Sequence, residues 1–285
     1  MSFEKQKEEK KYGQNIHAVL EFGRHEIPGK TPEGMSADYL KPEGRESAKQ
    51  RGKLIKEEKL GGYSSPKMRA QETVDLEMQS TDDGVDVVNR KLEDIKNRRG
   101  QKEENVFKAK TKEELDTVQD FGKIMGNAKK WAQGQIEGGS KRGMYELIVQ
   151  FYLDNSELCV ENGVITPREA AAEIAARAYK ELGMTERFYK DTDIRLTNIT
   201  HGPKLEPFLQ QVLIKDNGEK GFKSLEEIGG ALNPGESFEF EVNIDENGKK
   251  NVKLNLKGKT YEVDLKEIEK LYQEYKEKNS NKDKE

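Results

Sequence analysis

The fold class expected from the sequence is α/β: a mostly parallel sheet flanked by helices, with a helical insertion and a C-terminal β-hairpin. Three observations predict it. Short apolar runs alternate with helical patterns over 16–78, in the order strand–helix–strand–helix, as parallel sheets require. A highly charged, mostly helical insertion over about 82–190 then separates these elements from the next strand-like run. Finally, "SFEFEVNIDENGKKNVKLNL" at 237–256 alternates apolar and polar residues around Glu246-Asn247-Gly248, a hairpin signal.

The elements follow in order. "IHAVLEF" (16–22) is short, apolar and β-compatible, as a buried strand should be. "PEGRESAKQRGKLIKEEK" (42–59) is rich in helix formers, with Ala48, Leu54 and Ile55 as its core candidates. "LGGYSS" (60–65) reads as a second strand, and "PKMRAQETVDLEM" (66–78) opens a helix with proline in its first turn. In "TPREAAAEIAARAYKELG" (166–183), Thr166 and Glu169 form a capping-box pattern, Pro167 occupies the first turn and Gly183 marks the stop. "IRLTNIT" (194–200) restores a strand that ends at His201-Gly202, and "LEPFLQQVLI" (205–214) is a helix. After the hairpin come a short strand and an amphipathic helix. One domain over 14–275 is expected, with residues 1–13 and 276–285 as charged tails.

Composition narrows the function classes. Hydrophobic residues make up 33% and charged residues 36% of 285, so the core is modest and the surface highly charged. With 50 basic against 54 acidic residues and no basic face, nucleic acid is not an expected partner. The single cysteine, Cys159, excludes an internal disulfide and fits a reducing compartment. The N-terminus has no apolar core of a signal peptide and no run is long enough to span a bilayer, so the expectation is a cytoplasmic protein with no membrane partner.

The chain has three histidines. His17, near the start of the first strand, reads as a core or edge imidazole. His25 and His201 each follow a strand-like run and precede a turn, in "AVLEFGRH" and "RLTNITHG". Ligands of open parallel sheets bind at the C-terminal ends of strands, so two histidines from distant strands can face one crevice. Arg69 joins them from the first turns of the helix after "YSS", where both a helix N-terminus and a guanidinium fork favour phosphate.

In that order, Arg24-His25-Glu26, "LKPEGRESA" (40–48), "SSPKMRAQET" (64–73) and His201-Gly202 resemble the motifs of the histidine phosphatase superfamily, the phosphoglycerate-mutase-like fold. The match covers about 16–78 and 194–214; the insertion carries no matching motif. The resemblance implies that His25 is a nucleophile forming a phosphohistidine, with Arg24, Arg69, His201 and Gly202 around the phosphoryl group and His201 protonated. It implies no metal and no cofactor. For the acid that protonates the leaving oxygen it points to Glu93, with Asp94, Glu146 and Glu206 as alternatives.

Two departures stand out. Glu26 replaces the glycine usual in the motif, placing a carboxylate beside the phosphate pocket that a cation must neutralise. Pro28 removes a further arginine of some relatives, for which Lys30, Arg98, Arg99 or Lys204 would have to substitute. "GQIEGGSK" (134–141) has its serine before its lysine and is no phosphate loop; Tyr145, Phe151 and Tyr152 read as core. The resulting expectation is a metal-independent phosphomonoester hydrolase acting on a phosphorylated small molecule or phosphoprotein. The alternatives are a phosphoglycerate-mutase-like phosphotransfer, or a catalytically weak homologue that binds a phosphorylated ligand or a protein.

Overall fold

A computed structural model describes residues 11–30, 36–81, 86–87 and 109–282. The chain runs β1 (Ile16–Arg24), β2 (Pro28–Lys30), β3 (Ser36–Leu40), α1 (Pro42–Gly52), β4 (Lys59–Ser64), α2 (Met68–Gln79), β5 (Asp86–Val87) and β6 (Lys110–Thr111). Next come α3 (Gly122–Glu137), α4 (Met144–Asp154), α5 (Ser156–Glu161), α6 (Pro167–Thr185), β7 (Asp193–Thr200) and α7 (Leu205–Val212). It ends with β8 (Leu213–Ile214), β9 (Ser237–Ile244), β10 (Lys250–Leu256), β11 (Lys259–Val263) and α8 (Leu265–Lys282).

The fold is α/β. The main sheet has the order β5-β4-β7-β1-β9-β10-β11-β8, with β6 also on β4. Its centre is parallel: β4 pairs β7 and β7 pairs β1, with Arg24 opposite Thr200 at the last rung. The predicted hairpin is β9–β10, and it extends the sheet antiparallel from β1.

β1 shows why the two faces differ. Ile16, Ala18, Leu20 and Phe22 face the main core with Ala171, Ile174, Ala175 and Ala178 of α6, Phe208 of α7 and Leu271 of α8. Phe22 stacks on Phe238 at 5.4 Å and meets Phe240 edge-on at 6.0 Å, each such pair worth about 0.5–1.5 kcal/mol beyond burial. On the opposite face Leu60 and Ile199 pack against Ala70, Val74 and Met78 of α2. That face also buries charge: Arg195 binds Glu21, Glu57 and Glu239 at 3.0, 3.1 and 2.7 Å. Burying these charges is tolerated because each carboxylate has the guanidinium as partner.

α6 forms as its sequence dictates, with Thr166 and Glu169 completing the capping box. It runs past Gly183 to Thr185. Because its alanine-rich face packs on β1 and β7, it belongs to the sheet's own helical layer rather than to an insertion ending near 190. α3, α4 and α5 instead build separate small cores, one around Tyr152, Cys159 and Ile165, another around Ala128, Ala132 and Phe151.

Several elements differ from expectation. The helix expected over 42–59 stops at Gly52, whose missing side chain lets α1 lie against the backbone of Glu77. Leu54, expected in the core, is therefore 74% exposed, while Ala48 is buried and Ile55 packs beside Leu60. The β2–β3 ribbon carries no strand pattern in its sequence and was not expected. At the C-terminus, where a solvated tail from 276 was expected, α8 continues to Lys282, with Lys278 bound to Glu169 at 2.9 Å. At the other end, Tyr12 bridges to Tyr189.

Candidate active site

His25 and His201 stand one residue beyond the ends of the adjacent parallel strands β1 and β7. Their rings are 4.9 Å apart, and both are buried. The spacing is that of neighbouring strands, about 4.8 Å, so the ladder itself sets the distance between the imidazoles. β4 delivers the third wall: Ser65, just past its end, lies 2.6 Å from His201 Nε2 through its hydroxyl. α2 then starts at Met68 and brings Arg69 over the strand ends.

Hydrogen bonds assign the His25 tautomer. His25 Nδ1 is 2.6 Å from the carbonyl of Glu26, which can only accept, so Nδ1 carries the proton. Arg69 Nε donates to His25 Nε2 at 3.1 Å, so that nitrogen presents its lone pair. Burial, then Arg69 and Arg24, push His25 down to about 3, so the imidazole is neutral. For His201, Nε2 shares a hydrogen bond with Ser65 Oγ, whose oxygen also accepts from the Lys67 amide at 3.1 Å. Burial, His25, Arg69, Lys204 and Arg24 push His201 down to about 2. The imidazole is therefore neutral, and an anion beside it would favour the protonated form expected from the sequence.

Arg24 leaves β1 beside His25. Its NH1 donates to the carbonyl of Leu232 at 3.0 Å, and its guanidinium lies over the Tyr145 ring, 4.1 Å from the centroid. Arg69 also reaches the exposed Asp38 at 3.3 Å. Arg24, His25, Arg69, His201 and Gly202 are thus one cluster, at the strand ends where the sequence placed them.

Glu26 is only 2% exposed, and its carboxylate is engaged by residues of α1. Ser47 Oγ donates to its Oε1 at 2.7 Å, and Arg51 Nε lies 3.7 Å from the same oxygen. Arg51 also binds Glu77 and the carbonyl of Gly235. Gly235 is at φ +81° and a Cβ there would sit 2.6 Å from Glu26 Oε1, so only glycine leaves room for this carboxylate. Its amide in turn donates to the carbonyls of Arg24 and His25, at 3.2 Å each. The cation that Glu26 requires is Arg51.

The remaining expected residues separate. Glu93, Asp94, Arg98 and Arg99 lie outside the described residues. Glu206 is fully buried; its Oε1 accepts from the Leu232 amide at 2.9 Å, its Oε2 has no partner among the described residues, and burial raises its pKa. Glu146 faces Gly230 instead, beside a cleft of about 810 Å³ between α4 and the 223–230 segment. Lys204 is buried against Glu173 at 2.6 Å and the Asp116 carbonyl, so it is already satisfied; Lys30 is exposed on β2. His17 pairs with Asp193 at 2.7 Å at the opposite end of β1. Phe151 and Tyr152 are core; Tyr145 packs against the main core and also forms part of the site's wall. Its sequence context, a helix of aromatic and aliphatic residues, gave no signal of this. Among the described residues no cluster of three or more His, Cys, Asp or Glu is arranged to hold a metal ion, and no helix is long and apolar enough to cross a membrane.

No protein-family profile and no curated protein matches the chain. Solved structures similar to it include a phytase of Hafnia alvei bound to tartrate, at 10% identity and TM-score 0.43, covering 86% of this chain and 84% of that one. The protein histidine phosphatase SixA, bound to tungstate, is similar at 13% identity and TM-score 0.32, covering 84% and 96%. A phosphoserine phosphatase of Entamoeba histolytica is similar at 14% identity and TM-score 0.37, covering 84% and 96%. Likeness at this distance says nothing of chemistry. That has to rest on the site itself.

Proposed function

We propose that the chain is a metal-independent phosphatase that hydrolyses a phosphomonoester through a phosphohistidine on His25. The observation that carries this is the Nε2 lone pair of His25, held neutral and aimed into a cluster of Arg24, Arg69 and His201. A neutral imidazole nitrogen is a nucleophile for phosphorus, and two guanidiniums supply the fixed charge that a transferring phosphoryl group needs. Nε2 attacks phosphorus as the ester P–O bond breaks, and the leaving oxygen takes a proton. Water then attacks the phosphohistidine and releases phosphate. In the substrate complex Arg69 exchanges its bond to His25 for the phosphoryl oxygens, and the added negative charge favours protonation of His201.

The resemblance assigns the proton donor to Glu93. Of the described carboxylates, Glu206 has the surroundings that suit the role, because burial shifts its pKa upwards, in the direction an acid requires. The reading as a catalytically weak binding homologue rested on Glu26 and on the unassigned acid. The ion pair of Glu26 with Arg51 and its bond from Ser47 support the active reading.

The test is hydrolysis of an aryl phosphate with and without chelator, by the wild type and His25→Ala. The expected result is activity that survives chelation, disappears in the variant, and leaves an acid-labile phosphoryl adduct on His25 under rapid quench. Equal inertness of both proteins across a panel of phosphoesters would replace this reading with that of a binding module.

A further inference from the structure

We infer that the Tyr145 hydroxyl, carried into the site by α4, is a ligand contact that donates a hydrogen bond to an oxygen of the bound phosphoryl group, between Arg24 and His201. The inference rests on the phosphatase reading above and names a residue that the motifs do not contain.

Three buried polar atoms of the site have no partner among the described residues: Tyr145 Oη, Arg24 Nε and His201 Nδ1. Two of them converge on one place: a Cβ built on Gly202 would collide with the Tyr145 hydroxyl and would sit 3.4 Å from Arg24 Nε, and Gly202 directly follows His201 in the chain. The guanidinium N–H and the phenol each present a hydrogen, and so does Nδ1 once a bound anion favours the protonated imidazole of His201. Burial, with Glu206 nearby, raises the Tyr145 pKa, which keeps the phenol a donor.

Buried donors left without acceptors are costly, and folded proteins avoid them unless something else supplies the acceptor. Packing does not explain these three. The Tyr145 ring is held flat beneath the Arg24 guanidinium, and phenylalanine would provide the same stacking. What tyrosine adds is a donor at the wall beside Gly202. A group with several acceptor oxygens at tetrahedral spacing would satisfy all three donors at once, and a phosphoryl group is such a group. Gly202 is then required for a reason separate from backbone conformation: any side chain there would displace the hydroxyl.

The test measures binding of orthovanadate and of inorganic phosphate by calorimetry, alongside the thermal midpoint of the ligand-free protein. Tyr145→Phe should bind both oxyanions roughly tenfold more weakly, as loss of a charge-assisted hydrogen bond implies. Its ligand-free midpoint should be unchanged or higher, because an unpaired buried hydroxyl has been removed. A merely structural tyrosine would give the reverse, a lower midpoint with unaltered oxyanion affinity, and that result overturns the assignment. Gly202→Ala, which displaces the hydroxyl while keeping Tyr145, should weaken oxyanion binding similarly. The double variant should be no worse than Tyr145→Phe alone, since both changes remove one contact. Should Tyr145→Phe fail to fold, Gly202→Ala decides, and unchanged affinity in it overturns the assignment. A wild type that binds neither oxyanion removes the phosphatase reading and this inference together. A wild type that binds, with variants equal to it, removes only the role of Tyr145.

Discussion

Arg69 Nε donates to His25 Nε2 across 3.1 Å, while the opposite ring nitrogen of His25 is tied to the carbonyl of its neighbour Glu26. The two bonds together leave one lone pair, on one nitrogen, facing one cation. Nitrogen NMR of the ligand-free protein at pH 6 should therefore find His25 neutral with its proton on Nδ1, given a pKa near about 3. An imidazolium at that pH would contradict the assignment. Arg69→Ala should lower kcat/KM roughly a hundredfold or more. Arg69→Lys should recover little of this, because lysine lacks the planar fork.

The Glu26–Arg51 pair makes a stability prediction. Arg51→Met strands Glu26 and Glu77 as buried carboxylates, at a cost on the order of 3 kcal/mol. Adding Glu26→Gln to that variant should recover part of the loss, because one stranded charge is gone. Urea unfolding of the single and double variants measures both terms. A double variant no more stable than Arg51→Met would show that Arg51 does not serve Glu26.

Two opposed pH dependences coexist in the fold. Burial, helped by Glu21 and Glu26 and opposed by Arg51, holds Glu77 up to about 7. A carboxyl raised in the folded state binds its proton more tightly there, so its contribution is complete below about 4.5 and is lost as pH rises towards 7. His25 and His201 are depressed to about 3 and about 2 from 6.5, so their contribution is complete above 6.5 and is lost as pH falls below it. Between pH 4.5 and 7 the two slopes cancel in part. Glu77→Gln should make stability rise more steeply with pH across that window, whereas His201→Asn should flatten the rise. Unchanged slopes in the two variants would refute the scheme.

Glu206 can be separated from Glu93 by the leaving group. Replacing the proton donor should slow hydrolysis of an alkyl phosphate about 100-fold or more and leave an activated aryl phosphate nearly unaffected, because only the alkoxide needs protonation. Glu206→Gln and Glu93→Gln, each assayed with both esters, identify the donor as the one that shows this split.

The parts of the fold visible in the sequence are those whose signals are local. The capping box of α6 involves residues three apart, and the β9–β10 hairpin is announced by its turn. His25, His201 and Arg69 were also readable, because strand ends and a helix start can be located from flanking patterns. What escaped is what depends on distant partners. Nothing next to Glu26 shows that Arg51 neutralises it, since that pair forms only when α1 packs behind β1. Tyr145 looked like core because its apolar neighbours are core, and only the position of α4 against Arg24 reveals its other face. Leu54 failed as a core candidate because Gly52 ends α1 early and turns it outwards.

The separation of the two histidines is fixed by the β1–β7 ladder and not by the length of chain between them. Within the linking peptide β4, α2 and α6 pack on the sheet, whereas α3–α5 build cores of their own and can be rebuilt while the imidazoles keep their spacing. Lengthening a flexible connection costs only about 0.6 kcal/mol per doubling, a small penalty beside the pairing of two central strands. A chain built this way can exchange the wall that Tyr145 forms without disturbing its paired histidines. Modular variation is inherited from the sheet.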